Sequence, residues 1–366
     1  MRLLSLLALG VVIVGYSPRT FIGSMSAQAA ITATESTSQC DSTPVQLKAK
    51  SQMSDYGVLR SADNGKTWTK VVNDSGGIDS IVEDRSGQVL AATLGALSGP
   101  DLHLGLLRSS DDGRTWTRTT SCASGADLSD LRSIVLGPND TLIAAGGRGI
   151  FSSEDHGHTW TWMKQGLEEG AESNVQSVAV GSHSVLFAAT YDGAVRLSNG
   201  GKWTLAGLKG IPLNTLLVTS KGTLLAGSGG KGIYRSTNDG LAWRQILVIP
   251  GQNWVGTIVA DSKGRLYSSI ADHGIYRSDD DGVSWRKLQI TGKKPVVYVL
   301  AADTRGEIFA AIGDCCPVQK VILFRSADAG ATWTKIFEIP GGGAAIGAVA
   351  VTRTGGILIG LTTVGD

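Results

Sequence analysis

The chain has 366 residues, and its 33 Lys and Arg against 32 Asp and Glu leave a formal net charge of +1, which removes the electrostatic case for nucleic acid. Hydrophobic residues make up 42% and charged residues 18%, ample for a buried core and unlike a disordered chain. No apolar run reaches the roughly 18 residues of a spanning helix.

Residues 1–29 read as an export signal. Arg2 supplies the positive start, Leu3–Val14 (LLSLLALGVVIV) an apolar core, and Ala27–Ala29 (AQA) a small-residue cleavage site. The competing expectation is an uncleaved anchor, against which the short core argues. No cysteine follows the core at lipoprotein spacing. Residues 30–54 are polar and rich in Ser and Thr, which predicts a flexible leader. Residues 55–366 carry one repeating pattern.

The pattern starts at Ser61–Lys70, SADNGKTWTK. It returns as SSDDGRTWTR, SEDHGHTWTW, STNDGLAWRQ, SDDDGVSWRK and SADAGATWTK, with a worn copy RLSNGGKWTL. The tryptophans are Trp68, Trp116, Trp160, Trp203, Trp243, Trp285 and Trp333, seven of the nine in the chain. Their spacing of roughly 40–48 residues is that of a propeller or solenoid array.

A second phrase alternates with the first. It begins as IDSIVEDRSGQVLAAT at Ile78 and ends as IGAVAVTRTGGILIGL at Ile346. Each copy is an apolar run, a turn, and a second apolar run, which predicts a hairpin. The Trp phrase supplies another hairpin, so each repeat holds four antiparallel strands, one propeller blade. The chain opens on a lone Trp hairpin, Tyr56–Val72, and closes on a lone apolar hairpin, Ile346–Thr363. Joined, they complete a blade. The expected fold is therefore an all-β, seven-bladed β-propeller of four-stranded antiparallel blades, closed by pairing the N- and C-terminal half-blades and leaving no open sheet edge at the join.

The phrase Ser-x-Asp-x-Gly-x-Thr-Trp resembles the Asp-box, or bacterial neuraminidase repeat. That repeat occurs in sialidases, two-propeller xyloglucanases, sortilin-type receptors and photosystem II stability and assembly factors. The resemblance covers the chain after residue 55 and implies the propeller fold. It does not imply one activity, because a single fold hosts many. It also implies that the boxes lie on the face opposite the usual site.

Each box has a structural task. Gly65, Gly113, Gly157, Gly240, Gly282 and Gly330 stand where a positive φ is easiest. Asp63, Asp111, Asp155, Asp280 and Asp328 are placed to accept amides within the turn. An acidic run such as SDDDG lacks the ligand alternation and distal Glu of a calcium loop. Arg60, Arg108, Arg235, Arg277 and Arg325 recur at one position before the box. Recurrence with the fold assigns them to inter-blade hydrogen bonding. The resemblance to sialidases would offer three arginines for a carboxylate, but the Phe/Tyr-Arg-Ile-Pro hallmark is absent from the sequence.

The candidate ligand site lies in the connections at the opposite end. The long loops there are GALSGPDLHLG, TTSCASGADLSD, MKQGLEEGAESN and GDCCPVQK. The short turns hold Arg148, Asp192, Lys231, and Asp272 with His273, and Trp254 stands nearby outside the box register. Arg148, Asp192, Trp254, Asp272 and His273 form the expected ligand-binding set, because equivalent turns differ from blade to blade. Trp254 suits stacking on a sugar ring or capping the core. Asp272 and His273 suit an acid/base pair or, more simply, a tight turn.

Nothing in the sequence calls for a metal or cofactor. His156 and His158 flank Gly157 without a second ligand pair, as a solvated turn would. Cys40, Cys122, Cys315 and Cys316 lack metal-ligand spacing, and export would permit disulfides among them in any of three pairings. A glycosidase would need two carboxylates at a set separation, and no catalytic residue is assigned. The expectation is a secreted or periplasmic, monomeric, non-catalytic binding or scaffold protein. Its partner would be a glycan or an extracytoplasmic protein, with no nucleic acid and no membrane span after signal removal. The alternative is a divergent glycoside hydrolase, sialidase-like or xyloglucanase-like.

Overall fold

The structure is a computed structural model. It describes residues 56–73, 76–93, 106–119, 122–123, 128, 130–167, 175–181, 184–197, 201–249, 253–290, 295–313, 320–340 and 344–363, with the strands Ile13–Val14 and Val45–Gln46. The rest of the expected signal and leader lies outside the described residues, as do Cys40, Cys315 and Cys316. Cys122 is described only as part of the short strand Cys122–Ala123.

Among the described residues there are strands, turns and short 3-10 segments, Pro138–Asp140 among them, and no α-helix. The recurring unit is a meander of four antiparallel strands. In the Ile78 sheet the order is Ile78–Glu83, Val89–Thr93, Leu106–Ser109 and Thr117–Thr119. The same order runs from Leu131–Leu136 to Thr159–Trp162, from Val175–Val180 to Trp203–Leu205, and from Val296–Ala302 to Thr334–Pro340. Two more meanders, Leu213–Val218 to Arg244–Leu247 and Asn253–Ala260 to Arg286–Lys287, join into one eight-stranded sheet through Gly229 opposite Trp254 and Gly230 opposite Asn253. Each sheet is named below by its first residue.

The closing sheet draws on both ends of the chain. Its order is Ala344–Val351, Ile357–Thr363, Gly57–Ser61 and Thr69–Asn73, with Gly57 opposite Leu361 and Ser61 opposite Ile357. The half-blade pairing read from the sequence is thus present. Short strands add to three other edges. Val45–Gln46 pairs with Thr117–Arg118, Cys122–Ala123 with Thr159–Trp160, and Ile13–Val14 with Ser80–Ile81.

The second strands, such as VLAAT, LIAAG and LFAAT, are buried along their whole length. Continuous apolar composition fits a strand covered on both faces. The glycines of the Trp turns explain how closely the sheets stack. Gly113 has φ +76, and a Cβ there would stand 2.6 Å from Leu358 Cδ2 of the closing sheet. Gly157, at φ +83, sits in the same way on Leu90, and Gly282, at φ +84, on Leu225. These three turns rest on the second strand of the preceding sheet, whereas Gly65, Gly240 and Gly330 meet Ile336, Ala206 and Leu288. One apolar cluster runs through three sheets, from Phe309 and Leu323 through Ile346 and Ile359 to Ile81 and Trp116.

Candidate functional site

Both ends of the strands carry turns, and they differ in chemistry. At the Trp-turn end one hydrogen-bond set repeats. Gly65 N–H donates to Ser61 Oγ at 2.8 Å, and Ser61 Oγ donates to Asp63 Oδ1 at 2.8 Å. Asp63 Oδ1 accepts the Thr67 amide at 2.8 Å and Oδ2 accepts its hydroxyl at 2.6 Å. The set recurs at Asp111, Asp155, Asp280 and Asp328. The Thr67 hydroxyl and amide hold the Asp63 carboxyl down to about 2, and Thr332 does the same for Asp328. A carboxylate so committed is a turn fastener and a poor proton carrier.

Three of the repeat indoles extend the fastening to the neighbouring sheet, while among the described residues Trp116, Trp160 and Trp285 bond only the glycine carbonyl of their own turn. Trp68 Nε1 donates to Gly65 O and to Ile336 O, each at 3.1 Å. Trp203 Nε1 reaches Met163 O at 2.8 Å and Trp243 Nε1 reaches Ala206 O at 2.6 Å. The repeat arginines behave in two ways. Arg60 Nε donates to Asp112 O at 2.7 Å, Arg235 Nε to Asp281 O at 2.9 Å, and Arg277 Nη1 to Ala329 O at 3.0 Å, all across sheets. Arg108 bonds Gln88 and Arg325 bonds Glu307 inside their own sheets. Inter-sheet bonding thus accounts for three of the five arginines.

A second set of aspartates holds the first-hairpin turns at this same end. Asp84 Oδ1 accepts the amides of Ser86 and Gln88, each at 2.9 Å. Asp261 and Asp303 accept in the same pattern. Sequence reasoning saw these residues only as turn formers. His156 Nδ1 lies 2.9 Å from Asp84 Oδ2, whose side chain is fully buried. The His turn is therefore an inter-sheet latch. Among the described residues no group of three His, Cys, Asp or Glu is placed to hold a metal.

The opposite end carries the sequence-predicted set. Arg148 is exposed in the turn Gly147–Arg148 of the Leu131 sheet. Gly147 N–H donates to Asp130 O at 3.0 Å, beside an Arg132–Asp130 ion pair of 3.0 Å. Asp192, in the Val175 sheet, is exposed, yet its carbonyl and carboxylate both accept Gly210 N–H, at 3.0 and 3.1 Å. Asp272 takes φ +60, and His273 N–H donates to Ile270 O at 3.0 Å, the geometry of a tight turn.

The structure brings Trp254, Asp272 and His273 together. Trp254 O accepts Ala271 N–H at 2.9 Å, so the half-buried indole stands at the root of the Asp272 turn. Across the sheet junction Trp254 Cζ3 is 3.4 Å, and Asn214 Oδ1 3.6 Å, from where a Gly229 Cβ would stand. Lys231 is exposed in the turn that follows. Arg148 and Asp192 stand on other sheets at the same end. Asn214 and the Asp130–Arg132 pair were missed in the sequence. Their signal was a charged or amide residue second in the strand phrase, as in LRSIV and LNTLL. The loops 94–105, 168–174 and 314–319 lie outside the described residues.

No protein-family model and no curated protein matches the sequence. Solved structures do match in fold. The chain is similar to a streptogramin B lyase at TM-score 0.60 and 14% identity, covering 79% of this chain and 95% of that one. It is similar to YCF48 bound to D1 peptide at TM-score 0.56 and 17% identity, covering 86% and 96%. It is similar to the GH74 xyloglucanase from Xanthomonas campestris at TM-score 0.54 and 16% identity, covering 76% and 64%. The chain spans 31%, 64% and 46% of three GH74 enzymes among those it matches. At such identities the likeness shows the fold alone, and that fold is the β-propeller.

Proposed function

We propose that this chain is a secreted or periplasmic, seven-bladed Asp-box β-propeller acting as a monomeric, non-catalytic binding or scaffold protein. Its ligand is a glycan or an extracytoplasmic protein, taken at the end of the strands that carries Trp254, Asp272, His273, Arg148 and Asp192. The observation that carries this reading is the contrast between the two ends. One end repeats a single fastening chemistry, set by what every sheet needs. The other offers a different side chain at each equivalent turn, as one asymmetric ligand would require. The seven-blade count rests on the repeat count and on the closing sheet.

The fold shared with a xyloglucanase favours one alternative, a divergent glycoside hydrolase, because carboxylates stand on the same turns. Titration of soluble glycans, xyloglucan and sialosides included, followed by product analysis, tests both. Binding without product release supports the proposal. Turnover that disappears in Asp272→Asn or Asp192→Asn overturns it.

A further inference from the structure

Two of the sheets place arginine opposite arginine. In the Leu213 sheet Arg235 pairs with Arg244, and in the Asn253 sheet Arg277 pairs with Arg286. The equivalent partner is Thr69, Thr117 or Thr334 for the other three repeat arginines. Like charges directly opposite on neighbouring strands repel. The Asn253 sheet relieves this from within. Asp279 accepts Arg277 Nε at 2.8 Å, also meets Arg277 Nη2, and lies 3.7 Å from Arg286 Nε. One carboxylate thus sits between the two guanidinium groups.

The Leu213 sheet has no such carboxylate. Thr237 stands where Asp279 stands in the next repeat (STNDG against SDDDG). Arg235 is drawn across to Asp281, with Nη2 to Oδ2 at 2.9 Å. Among the described residues the exposed Arg244 guanidinium has no hydrogen bond or ion pair. The place is an open cavity of about 390 Å³, lined by Arg235, Thr237, Asn238, Trp243, Arg244 and Val283 among others, with no carboxylate in the lining.

The same turn departs from its repeat twice more. Asn238 replaces the fastening aspartate, and Ala242 replaces the hydroxyl residue that pairs with it. Asn238 Oδ1 still takes the Ser236 hydroxyl and the Ala242 amide, each at 2.9 Å. No acceptor among the described residues meets its Nδ2. An amide donor and a free guanidinium therefore border one cavity. The apolar part of its wall comes from Ala242, Trp243, Ile246 and Val283, alongside Ser236, Thr237 and Gln245.

We propose that this cavity binds a carboxylate ligand bearing an apolar substituent, the carboxylate taking the place that Asp279 fills in the neighbouring sheet. Arg244 pairs with the carboxylate as a two-donor fork, Asn238 Nδ2 adds a third donor, and the apolar group lies along Trp243 and Val283. The site is at the Trp-turn end and is separate from the Trp254 group.

Ligand-observed NMR titration of the full chain with phenylacetate, and with its neutral isostere phenylacetamide, tests the proposal. Phenylacetate binds, phenylacetamide binds at least tenfold more weakly, and Arg244→Ala raises the phenylacetate Kd at least tenfold. Thr237→Asp supplies an internal carboxylate, as Asp279 does, and abolishes binding with the melting temperature kept or raised. Glucuronate, a carboxylate without the apolar group, binds more weakly than phenylacetate. Equal binding of acid and amide overturns the proposal. So does unchanged phenylacetate binding in folded Thr237→Asp, a variant that serves even if Arg244→Ala fails to fold.

Discussion

Arg353 of the closing sheet grips Glu83 of the Ile78 sheet. The Arg353 amide donates to Glu83 Oε2 at 2.7 Å and its Nε to Oε1 at 3.1 Å, while Nη1 and Nη2 reach Arg85 O and Asp84 O at 2.8 Å each. The contact joins a turn near the C-terminus to a turn near the start of the first sheet. Replacing Arg353 with Ala removes three side-chain bonds. We expect a loss of about 1–2 kcal/mol from these lost bonds, although Asp84 O keeps the Gly87 amide as a donor at 3.1 Å. Thermal unfolding of the variant checks this, and an unchanged midpoint would show that the join is held by the strand pairing alone.

Gly113 and Gly264 separate two reasons for glycine. Both take positive φ, +76 and +77. A Cβ at Gly113 meets Leu358 at 2.6 Å, whereas at Gly264 nothing lies within 4 Å. Gly264→Ala should cost about 1 kcal/mol in backbone strain. Gly113→Ala adds overpacking against the closing sheet and should cost about 2–4 kcal/mol. Urea unfolding of the pair measures the difference, and equal losses would place the Leu358 contact outside the energetics.

The fastening aspartates give the fold an acid limb. Asp63 and Asp328 are lowered from 3.8 to about 2, chiefly by the hydroxyls of Thr67 and Thr332. Their folded values lie below their unfolded ones, so the unfolded chain takes up protons first. The stabilisation is complete above about pH 5 and is lost as pH falls through about 2. In Asp63→Asn the melting temperature should drop at neutral pH, and the gap from the parent should close on acidification. A gap that stays constant from pH 7 to pH 2.5 would rule out this role for the carboxylate.

Trp254 and Trp116 should part company under mutation. Trp116 is 1% exposed and its Nε1 donates to Gly113 O at 3.0 Å, so Trp116→Ala should cost about 3–5 kcal/mol. Trp254→Ala, and Arg148→Ala with it, should weaken ligand binding with little change in melting temperature. Normal binding by both folded variants would move the site to the other end of the strands.

The repeating parts of this architecture were open to reading from sequence. A turn must satisfy its own amides, so Ser61, Asp63, Gly65 and Thr67 reveal themselves within a few residues. The closing sheet was legible because each end of the chain carried half a unit. Partnerships that cross between sheets were not legible. His156 and Asp84 are 72 residues apart, and each alone looks like an ordinary turn residue. Arg108 and Arg325 share a repeat position with Arg60 but have Gln88 and Glu307 within their own sheets, so they turn inward. The site end was legible only as a set of unlike turns. Which of them converge depends on the Gly229–Trp254 junction, a backbone pairing that composition does not mark.

The closing sheet also sets when the molecule can be finished. Gly57 must wait for Leu361, roughly 300 residues of synthesis later, or about 15–60 s at ordinary elongation rates. Through that interval the first hairpin has no second-strand partner, and its edge is open to wrong pairings. Long-range pairing of this kind is slow to nucleate, since the loop it closes is nearly the whole chain. Chains truncated near the C-terminus should therefore emerge as assembled middles with one orphaned hairpin, and it is the orphan that would recruit aggregation.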